Sequence, residues 1–320
     1  MKTSVALCTY NGEKFLREQL DSILNQTKAV DEIVVCDDGS TDSTLQILEE
    51  YYQKNPDIFR IFKNEINLRS VKNFEKAISL CENEIIFLCD QDDFWIENKV
   101  ETITNFFQKN PTINVVATNG FGIDDAGNLL EVHSLWDIPR FFQEENIEID
   151  YFKIIAFAGN IATGASMALR KKFVKDVIPF PVIEEFHHDE WIALNAASNQ
   201  SFEFLQEKLF KYRIHSQQQV GDVFLPKNDK SRQLLIQHFN FSVQDEKFKS
   251  FKFVLKRISK SYKKNNILSQ EKNYEEISRK IKKDLEILYE EKKMQMKNLY
   301  PFKARLLNLS DKILNKRKLN

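Results

Sequence analysis

The chain has 320 residues, 42% apolar and 29% charged, with a net charge of −1. That composition excludes a disordered chain, and no window approaches the ~18 uninterrupted apolar residues of a membrane span. The charge is unevenly divided: residues 227–320 hold 25 Lys and Arg against 11 Asp and Glu, a net of +14, whereas the remainder, with 21 against 36, is at −15. An acidic body argues against nucleic acid as the main substrate, because phosphates would be repelled, and is compatible with a metal site.

Residues 4–9 form a short apolar run that ends in the turn Tyr10-Asn11-Gly12. Phe15, Leu16, Leu20, Ile23 and Leu24 then recur at helical spacing between Glu13 and Gln26. A β-branched run from Glu32 to Cys36 stops at Asp37-Asp38-Gly39-Ser40, and Thr41 or Asp42 can cap a helix reaching about Tyr52. Strands are predicted over Ile58–Phe62 and Glu84–Cys89, with a helix over Val71–Leu80 between them and another over Lys99–Gln108. Alternation of strands with helices of about 10–15 residues predicts an α/β fold, a doubly wound, mostly parallel sheet of βαβ units. Ligands bind beyond the carboxyl ends of such strands. Three polar clusters fall there: Thr9–Gly12, Asp37–Ser40 and Asp90–Asp93.

Further along, Asn114–Val132 reads as a strand and a hairpin turning at Asp124–Gly127, and residues 134–150 as a variable loop. Strands are predicted over Gly164–Leu169, Phe202–Gln206 and Leu209–Ile214, and a helix over Trp191–Ala197. The tail is helical, with stripes through Phe251, Val254, Leu255, Ile258 and Tyr262 and through Tyr274, Ile277, Ile281, Leu285 and Leu288. Cys8, Cys36, Cys81 and Cys89 show no CxxC pairing and read as core thiols of a cytoplasmic protein.

Neither GxGxxG nor a P-loop follows the first strand, where Thr-Tyr-Asn-Gly stands instead. Phosphates then need another source of positive charge. Asp90-x-Asp92 at a strand end can hold Mg²⁺ or Mn²⁺, and the cation can bridge a diphosphate. By itself the pair reads equally as an acidic turn capping the next helix.

Taken in order, Val5-Ala-Leu-Cys-Thr-Tyr-Asn-Gly12, Val34-Val-Cys-Asp-Asp-Gly-Ser-Thr-Asp42 and Phe87-Leu-Cys-Asp-Gln-Asp-Asp-Phe-Trp95 resemble the nucleotide-binding half of the family 2 glycosyltransferases, which have the GT-A fold. The likeness continues through Thr163-Gly-Ala-Ser166, His188-Asp-Glu-Trp191 and Tyr212-Arg-Ile-His215 and covers about residues 3–221. It points to bacterial non-processive, rhamnosyltransferase-like members that build surface polysaccharides. The processive signature QxxRW is absent.

The resemblance implies roles for particular residues. Tyr10 would pack on the nucleobase, with Thr9 and Asn11 beside it, and Asp38 would accept the pyrimidine N3–H. Arg69 falls where related enzymes place an arginine near the nucleotide. Asp92 would bind metal, with Asp90 facing ribose or metal, Gln91 lying at the donor, and His215 adding a metal or diphosphate contact. Asp189 would be the catalytic base, although His188 stands where the family more often has Glu. Gly164 and Trp191 would line the acceptor site. Structural readings stand beside these: Asp38 as a cap of the Thr41 helix, Asp189 as an N-cap, His215 as a loop residue, and Trp95 and Trp191 as core or wall. His187 and His188 would point apart, which argues against a zinc pair.

The expected organisation is a GT-A domain over residues 1–226 and a basic helical appendage over 227–320. The reaction expected is inverting, metal-dependent transfer of one sugar from a UDP- or dTDP-linked donor to a hydroxyl of a glycan or lipid-linked glycan. The expected location is cytoplasmic. Phe251 and Phe253, among Lys249, Lys252, Lys256 and Arg257, could meet the anionic inner face of the membrane; the other reading docks the tail on the acidic body or on a second copy. Two rival functions remain: a nucleotidyltransferase making a nucleotide sugar, and a non-catalytic scaffold.

Overall fold

The structure, a computed structural model, describes residues 1–183, 186–215, 224–241, 243, 245–269, 274–314, 316, 317 and 319. The chain begins as four parallel strands with helical crossovers: β1 (Thr3–Thr9), α1 (Leu16–Leu24), β2 (Glu32–Asp37), α2 (Thr44–Lys54), β3 (Phe59–Lys63), α3 (Arg69–Leu80) and β4 (Ile85–Cys89). Then come β5 (Phe94–Trp95), α4 (Lys99–Lys109), β6 (Val115–Ile123), β7 (Val132–Ser134), α5 (Ile138–Glu144) and α6 (Tyr151–Lys153). β8 (Met167–Arg170), α7 (Val174–Val177), α8 (His188–Ser198), β9 (Phe202–Arg213) and β10 (Phe224–Pro226) follow. The last four helices are α9 (Asp229–Phe239), α10 (Phe248–Leu268), α11 (Glu275–Leu299) and α12 (Pro301–Leu314).

Eight strands form one sheet in the order β3-β2-β1-β4-β8-β6-β9-β5. β1 lies parallel to both β2 and β4, and β8 runs antiparallel between β4 and β6. β1, β2 and β4 are buried on both faces, as an all-apolar run such as Ile85–Cys89 requires. Leu16, Leu20 and Ile23 of α1, Phe74, Ala77 and Ile78 of α3, and Val100, Ile103 and Phe107 of α4 supply the covering layers. Because β1, β2 and β4 are parallel neighbours, their carboxyl ends share one edge, and the three polar clusters lie along it.

Three segments differ from expectation. Residues 138–144 of the predicted loop are helix: Pro139 sits in the first turn, and Asp137 accepts the Ser134 N–H at 2.9 Å. Residues 164–166 are a 3₁₀ turn, so the strand begins only at Met167. The two strands expected over 202–214 are one strand, and register shifts beside Asn119 absorb the break in alternation.

The chain divides into two compact units, residues 1–151 with 160–232, and residues 152–159 with 233–320. The division crosses α9 and gives 152–159 to the second unit. There α10 packs on α11 and α11 on α12, with Phe251, Val254, Leu255 and Ile258 buried alongside Ile281 and Leu285. Phe251, expected at a lipid surface, is therefore core. Among the described residues no helix is long and apolar enough to cross a membrane.

Candidate active site

The tips of β1 and β2 are laced together. Thr9 is buried and donates its hydroxyl to Asp37 Oδ2 at 2.8 Å. Asp37 Oδ1 accepts the N–H groups of Gly39 and Ser40 at 3.2 and 2.9 Å, with Gly39 at φ +86°. Asn11, at φ +49°, donates its N–H to Ser40 Oγ and accepts the Thr41 N–H on Oδ1, at 2.9 and 2.8 Å. Asp42, rather than Asp38, serves the start of α2 by accepting the Thr44 N–H at 3.0 Å.

Asp38 turns toward the following loop instead. Its Oδ1 accepts from Asn64 Nδ2 and the Leu68 N–H, both at 2.7 Å, and its Oδ2 accepts the Arg69 N–H at 2.8 Å. These bonds hold Arg69 at φ +60°, a backbone that non-glycine residues rarely adopt, with the side chain exposed. A carboxylate offers about four acceptor sites, so one on Oδ2 is left for a ligand N–H.

Gln91 joins β4 to β1. Its Oε1 accepts the Tyr10 N–H at 2.8 Å and its Nε2 donates to the Tyr10 carbonyl at 3.0 Å. The Tyr10 ring stays exposed. A Cβ on Gly12 would fall 2.2 Å from Gln91 Oε1, so the amide lies where only glycine leaves room.

The carboxylates lie beside this joint. Asp90 accepts no hydrogen bond on its side chain among the described residues. Desolvation, then the charges of Asp92 and Asp189, push it from 3.8 to about 7, against the opposing pull of Lys99. Asp92 Oδ2 meets His215 Nε2 at 2.9 Å. Asp93 is buried, with Oδ1 accepting the Arg213 N–H at 3.1 Å and Oδ2 without a partner among the described residues. Burial, then the charges of Asp92 and Asp90, raise its pKa well above the carboxylate range.

Asp189 lies in the first turn of α8, not at the N-cap, which is His187. Its Oδ2 accepts the Gly164 N–H at 3.0 Å and its Oδ1 the Glu190 N–H at 2.7 Å. A Cβ on Gly164 would approach His188 Nε2 to 3.0 Å and Asp90 Oδ2 to 3.7 Å, so Asp90, His188 and Asp189 all come together at Gly164. His188 is buried flat against Phe74, 4.0 Å between ring centroids, and neither ring nitrogen has a hydrogen-bond partner among the described residues. Burial lowers its pKa to about 4, so the ring is neutral. His187 is exposed, and the two imidazoles do point apart.

Trp191, expected at the acceptor site or in the core, has a buried ring and donates its indole N–H to the Val177 carbonyl at 2.9 Å. Two basic residues escaped sequence reasoning. Lys99 is fully buried, donating to the Ala165 carbonyl at 2.6 Å between the rings of Trp95 and Phe210. Arg213 donates to Glu18 and to the carbonyls of Asp92, Asp124 and Asp125, which fixes the acidic turn from behind. Nothing in the adjoining sequence signals either: Val100 beside Lys99 is buried, but Tyr212 and Ile214 beside Arg213 are only partly so.

Among the described residues no group of three or more His, Cys, Asp or Glu side chains is arranged to hold a metal. Mg²⁺ is commonly held by one or two carboxylates plus substrate phosphates, so such a cage is not required. The Asp90 carboxylate, without a hydrogen-bond donor among the described residues and raised by burial and then by Asp92 and Asp189, would be stabilised in its charged form by a divalent cation. The oxygen donors fit that group.

Residues 4–177 match the model of glycosyl transferase family 2. The chain belongs to glycosyltransferase family 2. It is 30% identical over 214 residues to an uncharacterised glycosyltransferase of Methanocaldococcus jannaschii, covering 66% of this chain and 70% of that one. It is 36% identical over 135 residues to the chondroitin synthase of Escherichia coli, covering 42% of this chain and 19% of the synthase. Staphylococcus aureus TarS 1–349, solved with UDP, shares the fold with a TM-score of 0.52 at 18% identity, over 93% of this chain and 91% of TarS. The mannosyltransferase PcManGT of Pyrobaculum calidifontis, solved with GDP-Man and Mn²⁺, does so with 0.53 at 14% identity, over 98% and 80%. As a family 2 member with a GT-A fold, the chain is an enzyme that transfers sugar.

Proposed function

We propose that this glycosyltransferase moves one sugar from a UDP- or dTDP-linked donor, with inversion, to a hydroxyl of a glycan or lipid-linked glycan during surface polysaccharide synthesis. The observation that carries the reading is the convergence of Asp90 and Asp189 on Gly164, which supports Asp189 as a proton acceptor beside the carboxylates of the β4 tip.

Two backbone N–H groups aim the Asp189 carboxylate and leave acceptor sites on both oxygens. Asp189 takes the acceptor's proton as the hydroxyl oxygen bonds to the anomeric carbon and the bond to the diphosphate oxygen breaks. The electron pair of that bond leaves with the nucleoside diphosphate. Asp92 and Asp90, with His215 against Asp92, would hold Mg²⁺ or Mn²⁺, and the cation would offset the charge of the leaving diphosphate. Tyr10, Asn11 and Gln91 lie at the joined tips of β1 and β4, where the donor's base and ribose would rest. Asp38 supports a pyrimidine, because its spare acceptor site suits an imide N–H. TarS solved with UDP-GlcNAc supports a uridine donor, whereas PcManGT, solved with GDP-Man, uses a purine.

A donor panel tests the reading. UDP- and dTDP-sugars should raise the melting temperature with Mg²⁺ or Mn²⁺ present, and release nucleoside diphosphate when an acceptor is added. Stabilisation by GDP-sugars alone would replace the pyrimidine reading.

A further inference from the structure

α12 carries two apolar faces. Ala304, Leu307 and Asp311 are buried in the second unit. Phe302, Leu306, Leu309 and Ile313 are 73%, 53%, 53% and 81% exposed. At about 3.6 residues per turn, these four form a single row on the side opposite the buried one. Isolated exposed apolar residues are ordinary on a protein surface, but a continuous row is not. Lys303, Arg305 and Lys312 flank the row, and Lys316 follows it, all exposed. Asp311, the one acidic residue in the helix, is buried and paired with Arg317.

We propose that this face of α12 seats the chain on an anionic phospholipid surface, with the apolar row in the interfacial zone and the basic flanks at the headgroup phosphates. Charge selects the occupant. A second copy packing face to face on a two-fold axis would set Lys303, Arg305 and Lys312 against the same residues, with no exposed acid on α12 to answer them. Anionic headgroups answer all of them, and an amphipathic helix with a basic polar face lies in such an interface. The site thus differs from the α10 surface expected at Phe251 and Phe253, of which Phe251 is buried and Phe253 half-exposed. The proposal stands on the second unit alone and is independent of the donor site.

The test uses the full chain with vesicles of phosphatidylcholine alone and of phosphatidylcholine with phosphatidylglycerol, sedimented at low and high salt. Binding should require the anionic lipid and weaken with salt, and the Leu306→Glu/Ile313→Glu variant should partition about tenfold less or weaker still. Circular dichroism and donor hydrolysis without vesicles should match wild type, which separates lost docking from lost folding or chemistry. Wild type left in the supernatant with anionic vesicles at low salt would overturn the proposal. So would a variant that binds as tightly as wild type, or an oligomer that the two substitutions convert to monomer while vesicle binding persists.

Discussion

Lys99 donates to the Ala165 carbonyl at 2.6 Å, and the neighbouring residue, Gly164, gives its N–H to Asp189 at 3.0 Å. One short turn is therefore gripped by a buried ammonium and in turn aims the proposed base. Burial draws Lys99 from 10.5 down to about 8, so it still carries its charge at neutral pH. Lys99→Met should fold and leave the donor KM nearly unchanged while kcat falls about ten- to a hundredfold, because the turn shifts. Steady-state kinetics check this; a raised KM with kcat kept would tie Lys99 to the donor instead.

Asp189→Asn keeps the shape but not the proton affinity. Transfer should fall by about 10²–10⁴. Thermal shift with donor and cation should match wild type. Turnover near the wild-type rate would remove Asp189 from its assigned role.

Asp90 titrates at about 7 in the fold, against an ordinary 3.8. The native state therefore keeps a proton that the unfolded chain has released, and this group's contribution to stability falls as pH rises from about 4 to 7. His188, lowered to about 4, acts with the opposite sign between 4 and 6.5. Comparing Asp90→Asn with wild type cancels the histidine. Without divalent cations, the variant's melting temperature should gain on wild type between about pH 4 and 7. A constant difference would show that Asp90 is not raised.

Asp38→Asn should loosen the loop that precedes α3. Its carboxylate holds Asn64, Leu68 and Arg69, and a carboxamide cannot accept from all three. The Arg69 N–H, which also reaches Asn67 Oδ1 at 3.1 Å, loses its charged acceptor, and a hydrogen bond to a charged group contributes about 1.5–3 kcal/mol. Urea unfolding should report that loss, and the donor KM should rise with it. Unchanged stability would mean that the loop holds itself.

Much of this was legible before any coordinates. β-branched runs that stop at polar clusters located β1, β2 and β4, and parallel pairing then placed those clusters on one edge. The helix at Ile138–Glu144 is not legible, although Ser134 and Asp137 spell the capping box of the 3₁₀ turn that leads into it, because aromatic and acidic residues mask its periodicity. Asp38 was read for its place in a motif. What it grips, thirty residues on, depends on the path of the chain beyond β3. Lys99 and Arg213 were invisible for a physical reason: a charge reads as solvated until a fold supplies rings and carbonyls around it.

The amide of Gln91 behaves toward Tyr10 as a neighbouring peptide group would, giving one bond and taking one. The ladder between β1 and β4 therefore has an additional rung made of side chain, set past the last one made of backbone. Because that rung asks nothing of the main chain, the polypeptide after Cys89 can bend away while the border remains sealed. The acids of the bend are suspended from a seam that a strand alone could not have continued.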